Sequence, residues 1–496
     1  MDPWKNIKLL SKDDLRRLQN QKLHHFINTY VYPFSPHYQK LFDQNNINPK
    51  NICTVEDLAK IPFTSKTDFT HTDEHTGRER FRDFILQPDQ DKIRQYWPKT
   101  KILSLAVSSF FKGKEYTQEK LRREFQPIFM TFTTGTTTQP ISYLYSNHDI
   151  KNLEISGSRM LSLFDIHYSD KIVNMFPFAP HLAFWQVVFG GLSSCALIMS
   201  TGGGKAIGSE GNISALLKMK PSVILGVPSY VYHVLRLAKE QGCSMDFVEK
   251  VVLGAGSVSK NFKFKVAGLL ESMGSKNVSV FGTYGFTESR TAWAECPTSN
   301  DISSGYHLYP DKEIFEIIDP KTGNVKNEGE DGELVYTSLD ARGSVVIRYR
   351  TGDFVKGGIT TEPCPHCGRT VPRLSSNITR LSNVKGLQLS KIKGSLVNLN
   401  NFITTLSDIQ NIDEWQVELC KKNNDPYEVD ELNLYICSTN GSDQGNLEKE
   451  IHQKMLMSTE VAPNRIQFIK MEEIVKRLEL ETANKEKRII DNRGEI

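Results

Sequence analysis

Apolar residues recur at helical spacing from the start of the chain. In SKDDLRRLQNQKLHHFINTYVY, Leu15, Leu18, Leu23, Phe26, Ile27 and Tyr30 share one face, and Ser11 is placed to cap the helix. Between about 72 and 126 the pattern dissolves into charged, irregular runs such as HTDEHTGRERFRDF and FFKGKEYTQEKLRREFQ, which read as a surface insertion without a catalytic role. Beyond it, short β-branched or aromatic runs (QPIFMTF, KIVNMF, CALIMS, SVILGV, KVVLGAG, VSVFGTYG) alternate with helical patterns (NISALLKMK, SYVYHVLRLAKEQ, NFKFKVAGLLESMG). That alternation predicts an α/β fold with a largely parallel sheet. From about 314 the strands shorten, and FEIIDPKTGNVKNEGEDGELVYTSLD reads as a β-meander. Past about 380 an α+β pattern returns in EVDELNLYICS and GNLEKEIHQKML. The expected organisation is a large body, 1–385, and a small mobile C-terminal domain, 386–496, with Gly386 and Gly394 suited to a hinge.

Composition narrows the function classes. Of 496 residues, 39% are hydrophobic and 24% charged, ordinary for a globular protein. Lys and Arg number 61 against 58 Asp and Glu, too balanced to argue for a nucleic-acid or membrane surface. The longest apolar stretch, 182–199, is interrupted by Gly190, Gly191 and two serines, and the first residues lack an apolar signal core. The expectation is a cytoplasmic protein. Eight cysteines make no disulfide scaffold. Cys53, Cys195, Cys243, Cys420 and Cys437 are scattered and read as buried small apolar side chains, whereas Cys296, Cys364 and Cys367 need a separate account.

The chemistry-bearing segments are short. A strand runs into TFTTGTTTQP (131–140), a loop of small residues able to present N–H groups and hydroxyls to anionic oxygens. No Gly-Lys-Ser/Thr follows, so it is not a Walker A loop. STGGGKAIG (200–208) fails the same test and reads as a flexible turn after a strand. LGAGSVS (253–259) turns from a strand into a helix, YGFTES (284–289) ends a strand in an acid, and RYRTGDF (348–354) places Asp353 after a Gly.

In order and spacing these segments resemble the adenylate-forming superfamily, whose members join a carboxylate to AMP from ATP and usually pass the acyl group to a thiol. Within it, the chain is similar to the phenylacetate–coenzyme A ligase group over nearly its whole length. The segments carrying that similarity include SPHY, DLAKIPFTSKTD, YGFTESRTAWAECPTSNDISSGYHLYP, IRYRTGD, CPHCGRTVPR and ANKEKRIIDNR. The resemblance implies that Thr133, Thr134, Gly135, Thr136 and Thr137 hold the β- and γ-phosphates of ATP, with Thr138 where the family usually has Gly. Gly254, Ala255 and Gly256 would lie along the adenine, although the family often has Glu at position 256. Tyr284 and Gly285 would flank the nucleotide, with Thr287 near the α-phosphate. Glu288 would ligate Mg, and Asp353 would accept the ribose hydroxyls. A lysine carried by the small domain would stabilise charge at the α-phosphate. It aligns best with Lys485, where Asn484 replaces the usual preceding Gly and Lys487 competes. FPFAPHLAFWQVVFGG (176–191) would line the acid pocket, with His181 either a substrate contact or a core residue.

CPHCG (364–368) is a Cys-x2-Cys knuckle, by itself half a zinc site or a redox pair. In zinc-containing relatives, positions corresponding to Cys296 and His307 supply the other two ligands. The resemblance thus implies a structural zinc held by Cys296, His307, Cys364 and Cys367, with His366 a competitor for the fourth place. The leading expectation is an AMP-forming acid–coenzyme A ligase for an aryl or related small carboxylate, using ATP, Mg, Zn and coenzyme A. The alternative is an enzyme of the same group with a cofactor or protein acceptor. A zinc-ribbon module that binds nucleic acid or a protein is disfavoured, because the chain is near neutral and basic and aromatic residues do not interleave around 364–368. Oligomeric state is left open.

Overall fold

The computed structural model describes residues 4–70, 79–133, 141–256, 258–296, 299–381, 389–392, 395–424, 430–439, 441–459, 461–483 and 486–493, the side chains of 389–400 and Asn424 excepted. The first long helix, Lys12–Phe26, is capped as its sequence predicts: the Asp14 amide donates to Ser11 Oγ at 3.1 Å. Leu15, Leu23 and Phe26 are buried from it, and a turn of π-helix, Ile27–Val31, extends it.

The predicted parallel sheet is present. Six strands lie in the order Leu197–Ser200, Lys171–Asn174, Val223–Gly226, Lys250–Leu253, Ser279–Phe286 and Thr291–Ala294; neighbours are parallel except the last pair. Alternation along the strands feeds two cores. Ile172, Val223, Leu225 and Val252 enter one, while Val173, Ile224, Val251 and Leu253 enter the other with Val231, Leu235, Val266 and Leu270 of the covering helices. A sheet covered on both faces explains why these strands read as unbroken apolar runs. The meander is also present: Glu313–Ile318, Gly332–Ser338, Tyr349–Val355 and Ile378–Arg380 form an antiparallel sheet in that order.

Three expectations are corrected. QPIFMTF does not join the parallel sheet; Pro127–Phe132 pairs antiparallel with Ser142–Ser146, so the Thr-rich loop connects a hairpin. The charged stretch is not irregular where it is described beyond residue 90. Gln90–Tyr96, Lys99–Lys112 and Lys114–Phe125 are helices, held on one side by Ile102, Leu105 and Leu121 against the body and capped at the first by Asp89. Charge content masked an apolar helical period. Finally, Cys53 and Cys195 are exposed and Cys243 and Cys420 half-buried, leaving Cys437 as the one of the five that is buried.

The C-terminal part has a four-stranded sheet ordered Arg465–Phe468, Asp430–Ser438, Ile412–Lys421 and Ile489–Asp491, with helices Leu399–Ser407, Gln444–Thr459 and Met471–Leu478. Phe402, Leu406, Trp415, Val417, Leu434 and Ile451 make a core of its own. Polar contacts join it to the body: Asn261 donates to Asp408 at 3.2 Å, and Lys265 Nζ to the carbonyls of Ile412 and Asp413. Gly386 and Gly394 lie outside the described residues. No helix among the described residues is long and apolar enough to cross a membrane.

Candidate active site and metal centre

Two sheets deliver the candidate groups to one place. The strand Ser279–Phe286 carries Tyr284 and Gly285 and ends in a single tight turn, Thr287–Ser289. The strand Tyr349–Val355 carries Tyr349 and Asp353. Tyr284 donates its hydroxyl to Asp353 Oδ2 at 2.6 Å, and Tyr349 donates to Glu288 Oε1 at 2.9 Å. The Tyr284 ring is stacked on Trp293 at 5.7 Å, which holds the phenol in line. Asp353 is opposite Arg380 in the sheet register, and the Arg380 guanidinium reaches Asp353 Oδ1 at 3.1 Å. Burial raises both carboxylates above their usual ranges, opposed at Glu288 by its hydrogen bonds and at Asp353 by Arg380 and Tyr284. Both are acids that a cation or polar ligand would relieve, and the charge of Asp353 adds to the rise at Glu288.

The turn that presents Glu288 is anchored from below. Arg290 sits in the left-handed region at φ 59 and reaches Asp149 Oδ1 at 2.8 Å, both side chains buried. Asp149 also accepts from the amides of Ser146 and Gly343, at 2.9 and 2.6 Å. Burial opposes that charge, but Arg290 and the amides hold Asp149 below the usual carboxylate range.

The predicted adenine segment is split in its roles. A Cβ on Gly254 would stand 2.3 Å from Thr283 Oγ1, so this glycine lets the turn close on the neighbouring strand. A Cβ on Gly256 would stand 3.2 Å from Pro228 Cδ, a looser approach, and both Gly256 and Ala255 are exposed, Ala255 at φ 61. Thr133 is at the base of the Thr-rich loop: its amide donates to the Ile141 carbonyl and its Oγ1 accepts from the Ile141 amide, both at 3.1 Å. Thr134, Gly135, Thr136, Thr137 and Thr138 lie outside the described residues, as do Asn484 and Lys485. Lys487 is described, and its Nζ pairs with Glu479 Oε1 at 2.5 Å. His181 Nδ1 donates to the Phe132 carbonyl at 3.1 Å, tying the aromatic segment to the strand that enters the loop. Beside it Phe129 and Trp185 meet edge to face at 5.1 Å, and Phe178 and Phe184 at 5.2 Å.

Tyr349, Arg380, Arg290 and Asp149 were not singled out from the sequence. Tyr349 has a local signal, since residues 349 and 353 are four apart on one strand and share a face. Arg380 has none, because its place opposite Asp353 is set by sheet register.

The second cluster is a metal-type donor set. Cys296, His307 and Cys364 are buried, Cys367 is partly so, and their ligand atoms lie within 4.8 Å of one another. A tetrahedral zinc at ordinary bond lengths separates its ligand atoms by about 3.5–3.8 Å; Cys367 Sγ and His307 Nε2 are 3.6 Å apart. The knuckle closes as its Pro and Gly predict, Gly368 N donating to the Cys364 carbonyl at 2.9 Å. His307 reaches it because its strand pairs with Arg373–Leu374, while His366 is exposed. Hydrogen bonding with Cys296 lowers the Cys367 thiol to about 2 and raises Cys296. Burial raises Cys364, but His307, Ser304 and knuckle amides outweigh it and bring that thiol to about 6. Cys364 and Cys367 thus give up their protons readily to a bound cation, and the three sulfurs and one imidazole within reach of a common centre fit zinc.

Comparison with known proteins bears on the family and the fold. The model of the AMP-binding enzyme family matches residues 56–340. The phenylacetate–coenzyme A ligase of Thermus thermophilus is 24% identical over 380 residues, covering 76% of this chain and 73% of that protein. The structure of a 2-hydroxyisobutyryl-CoA ligase in its postadenylation state, with 2-HIB-AMP, overlaps at TM-score 0.76 and 17% identity, over 99% of this chain and 92% of that one. In its thioesterification state, with coenzyme A, the score is 0.62 at 18% identity, over 98% and 92%. With more than half its length matched by the family model, the chain belongs to the AMP-binding enzyme family, the adenylate-forming superfamily that its motifs resemble.

Proposed function

We propose that this chain is an AMP-forming carboxylic acid–coenzyme A ligase acting on an aryl or related small carboxylate. The observation that carries this reading is the convergence of Glu288 and Asp353, each positioned by a tyrosine hydroxyl, in a chain of the adenylate-forming superfamily. Asp353, held by Tyr284 and Arg380, offers its remaining acceptor capacity to the ribose hydroxyls. Glu288, buried and held by Tyr349, is the magnesium ligand; a hard dication offsets the cost of its buried charge. Thr287 lies one residue away, toward the α-phosphate. Gly254, Ala255 and Gly256 form the adenine side, Tyr284 and Gly285 flank the nucleotide, and Thr133 to Thr137 form the pyrophosphate side.

Attack by a carboxylate on the α-phosphate brings two anions together, so the barrier is largely electrostatic. Lys485 supplies the opposing charge from the small domain, 386–496, whose separate core suits it to move as a unit. The aromatic cluster of Phe129, Phe178, Phe184 and Trp185 favours a flat acid. Zinc, when bound, supplies a four-coordinate tie between the segment after the Glu288 turn and the segment beyond Asp353. Pyrophosphate exchange across a panel of carboxylic acids, with and without coenzyme A, tests the reading. Acid-dependent exchange with an aryl acid, followed by thioester formation, is the expected result. Exchange without any thioester would move the acceptor to another molecule, and no exchange with any acid would overturn the reading.

A further inference from the structure

Among the described residues, the inserted helical hairpin carries five exposed large apolar side chains, including the most exposed one, Phe110. Helices Lys99–Lys112 and Lys114–Phe125 meet at Gly113, whose φ of 88 makes the turn. Ile102 and Leu105 face the body, while Leu103, Val107, Phe110 and Phe111 recur at helical spacing on the opposite side. Phe110 and Phe111 at the tip are 85% and 78% exposed and meet edge to face at 5.3 Å. Just past the turn, Tyr116 is exposed with Lys112 Nζ over its ring at 4.7 Å.

The same hairpin also carries a surplus of basic residues. Residues 99–125 hold seven Lys and Arg against three Glu, a surplus of four in a chain whose net charge is +3. Lys101 and Glu124 turn inward, to Tyr30 at 2.7 Å and Arg342 at 3.0 Å, and Arg123 pairs with Glu119. Lys99, Lys112, Lys114, Lys120 and Arg122 remain at the surface without a carboxylate partner among the described residues. The balance of the whole chain hides this local surplus.

We propose that this hairpin docks the protein on anionic phospholipid membranes, the Phe110–Phe111 tip entering the acyl boundary and the flanking lysines meeting the phosphates. Aromatic and aliphatic residues ringed by basic ones are the chemistry of an interfacial helix. Charge argues against a second copy as the occupant, since two such surfaces would oppose surplus positive charge with surplus positive charge. At about 1.5 Å per residue the first helix, Lys99–Lys112, is too short to span a bilayer, so the contact is peripheral.

Sedimentation of the full chain with vesicles tests this, using phosphatidylcholine alone and an equal mixture of phosphatidylcholine and phosphatidylglycerol. The protein should pellet with the mixed vesicles, less at high salt, and stay in solution with phosphatidylcholine. Phe110→Ser with Phe111→Ser, and separately Lys112→Glu with Lys114→Glu, should each weaken binding by about tenfold or more. Their melting temperatures should not change, because the substituted side chains are exposed. Absence of pelleting, or pelleting equal for the wild type and both variants, would overturn the proposal. So would a concentration-dependent dimer that the Phe variant abolishes without any vesicle binding, which would assign the face to a second copy.

Discussion

Ser209 donates its hydroxyl to Glu481 Oε1 at 2.6 Å, fastening the segment four residues ahead of Lys485 to a helix of the large body. The buried His233 ring lies 3.6 Å from the same oxygen. Glu481 therefore fastens the start of the tail to the large body. Glu481→Ala should slow acyl-adenylate formation by about tenfold, as expected when a positioning contact is lost, and leave thioester formation from preformed acyl-AMP unchanged. Equal slowing of both half-reactions, measured by single turnover, would reduce the contact to a general stabilising one.

Lys485→Ala should lower acid-dependent pyrophosphate exchange by about 100-fold or more while sparing the second half-reaction. Lys487 is engaged by Glu479, so Lys487→Ala should have a much smaller effect. The reverse ranking of the two variants would exchange their roles.

Tyr284→Phe removes the hydroxyl that orients Asp353. The KM for ATP should rise by about tenfold, the scale of one lost hydrogen bond to a charged group, with a smaller change in kcat. An unchanged KM would take Asp353 out of the ribose site.

Cys364→Ser should release about one zinc per chain and lower the melting temperature, since one ligand of a closed four-coordinate set is lost. Metal analysis of the purified variant checks this, and retention of the full zinc content would refute the assignment.

Glu313 is a buried acid behind Trp293, the ring that stacks on Tyr284. Trp293 Nε1 and the Tyr309 amide both donate to its Oε1, at 2.6 and 2.8 Å, while Oε2 is buried without a hydrogen-bond partner among the described residues. Burial raises this carboxyl to about 8 despite those bonds. The folded state therefore binds its proton more tightly than the unfolded state, so its contribution to stability is complete below the ordinary glutamate range. That contribution is lost as pH rises toward about 8. Glu313→Gln keeps both accepted bonds and carries no charge. Its melting temperature relative to wild type should climb through this window and level off above about pH 8; a difference independent of pH would rule the account out.

Much of this molecule is written locally. The Ser11 cap, the alternating strands and helices, the meander and the tight Cys-x2-Cys turn depend on residues a few positions apart, and periodicity suffices to find them. Family resemblance added the association of Cys296 with a knuckle 68 residues downstream. Tertiary structure decided what depends on register and on which face meets which. Pairing of the Tyr306–His307 strand with Arg373–Leu374 places His307, and not His366, against the sulfurs. Pairing of Asp353 with Arg380 gives that acid its cation. The hairpin under the Thr-rich loop and the outward face of Lys99–Lys112 follow from packing against distant segments. A periodic pattern specifies that a face exists; only non-local contacts specify whether it is covered and by what.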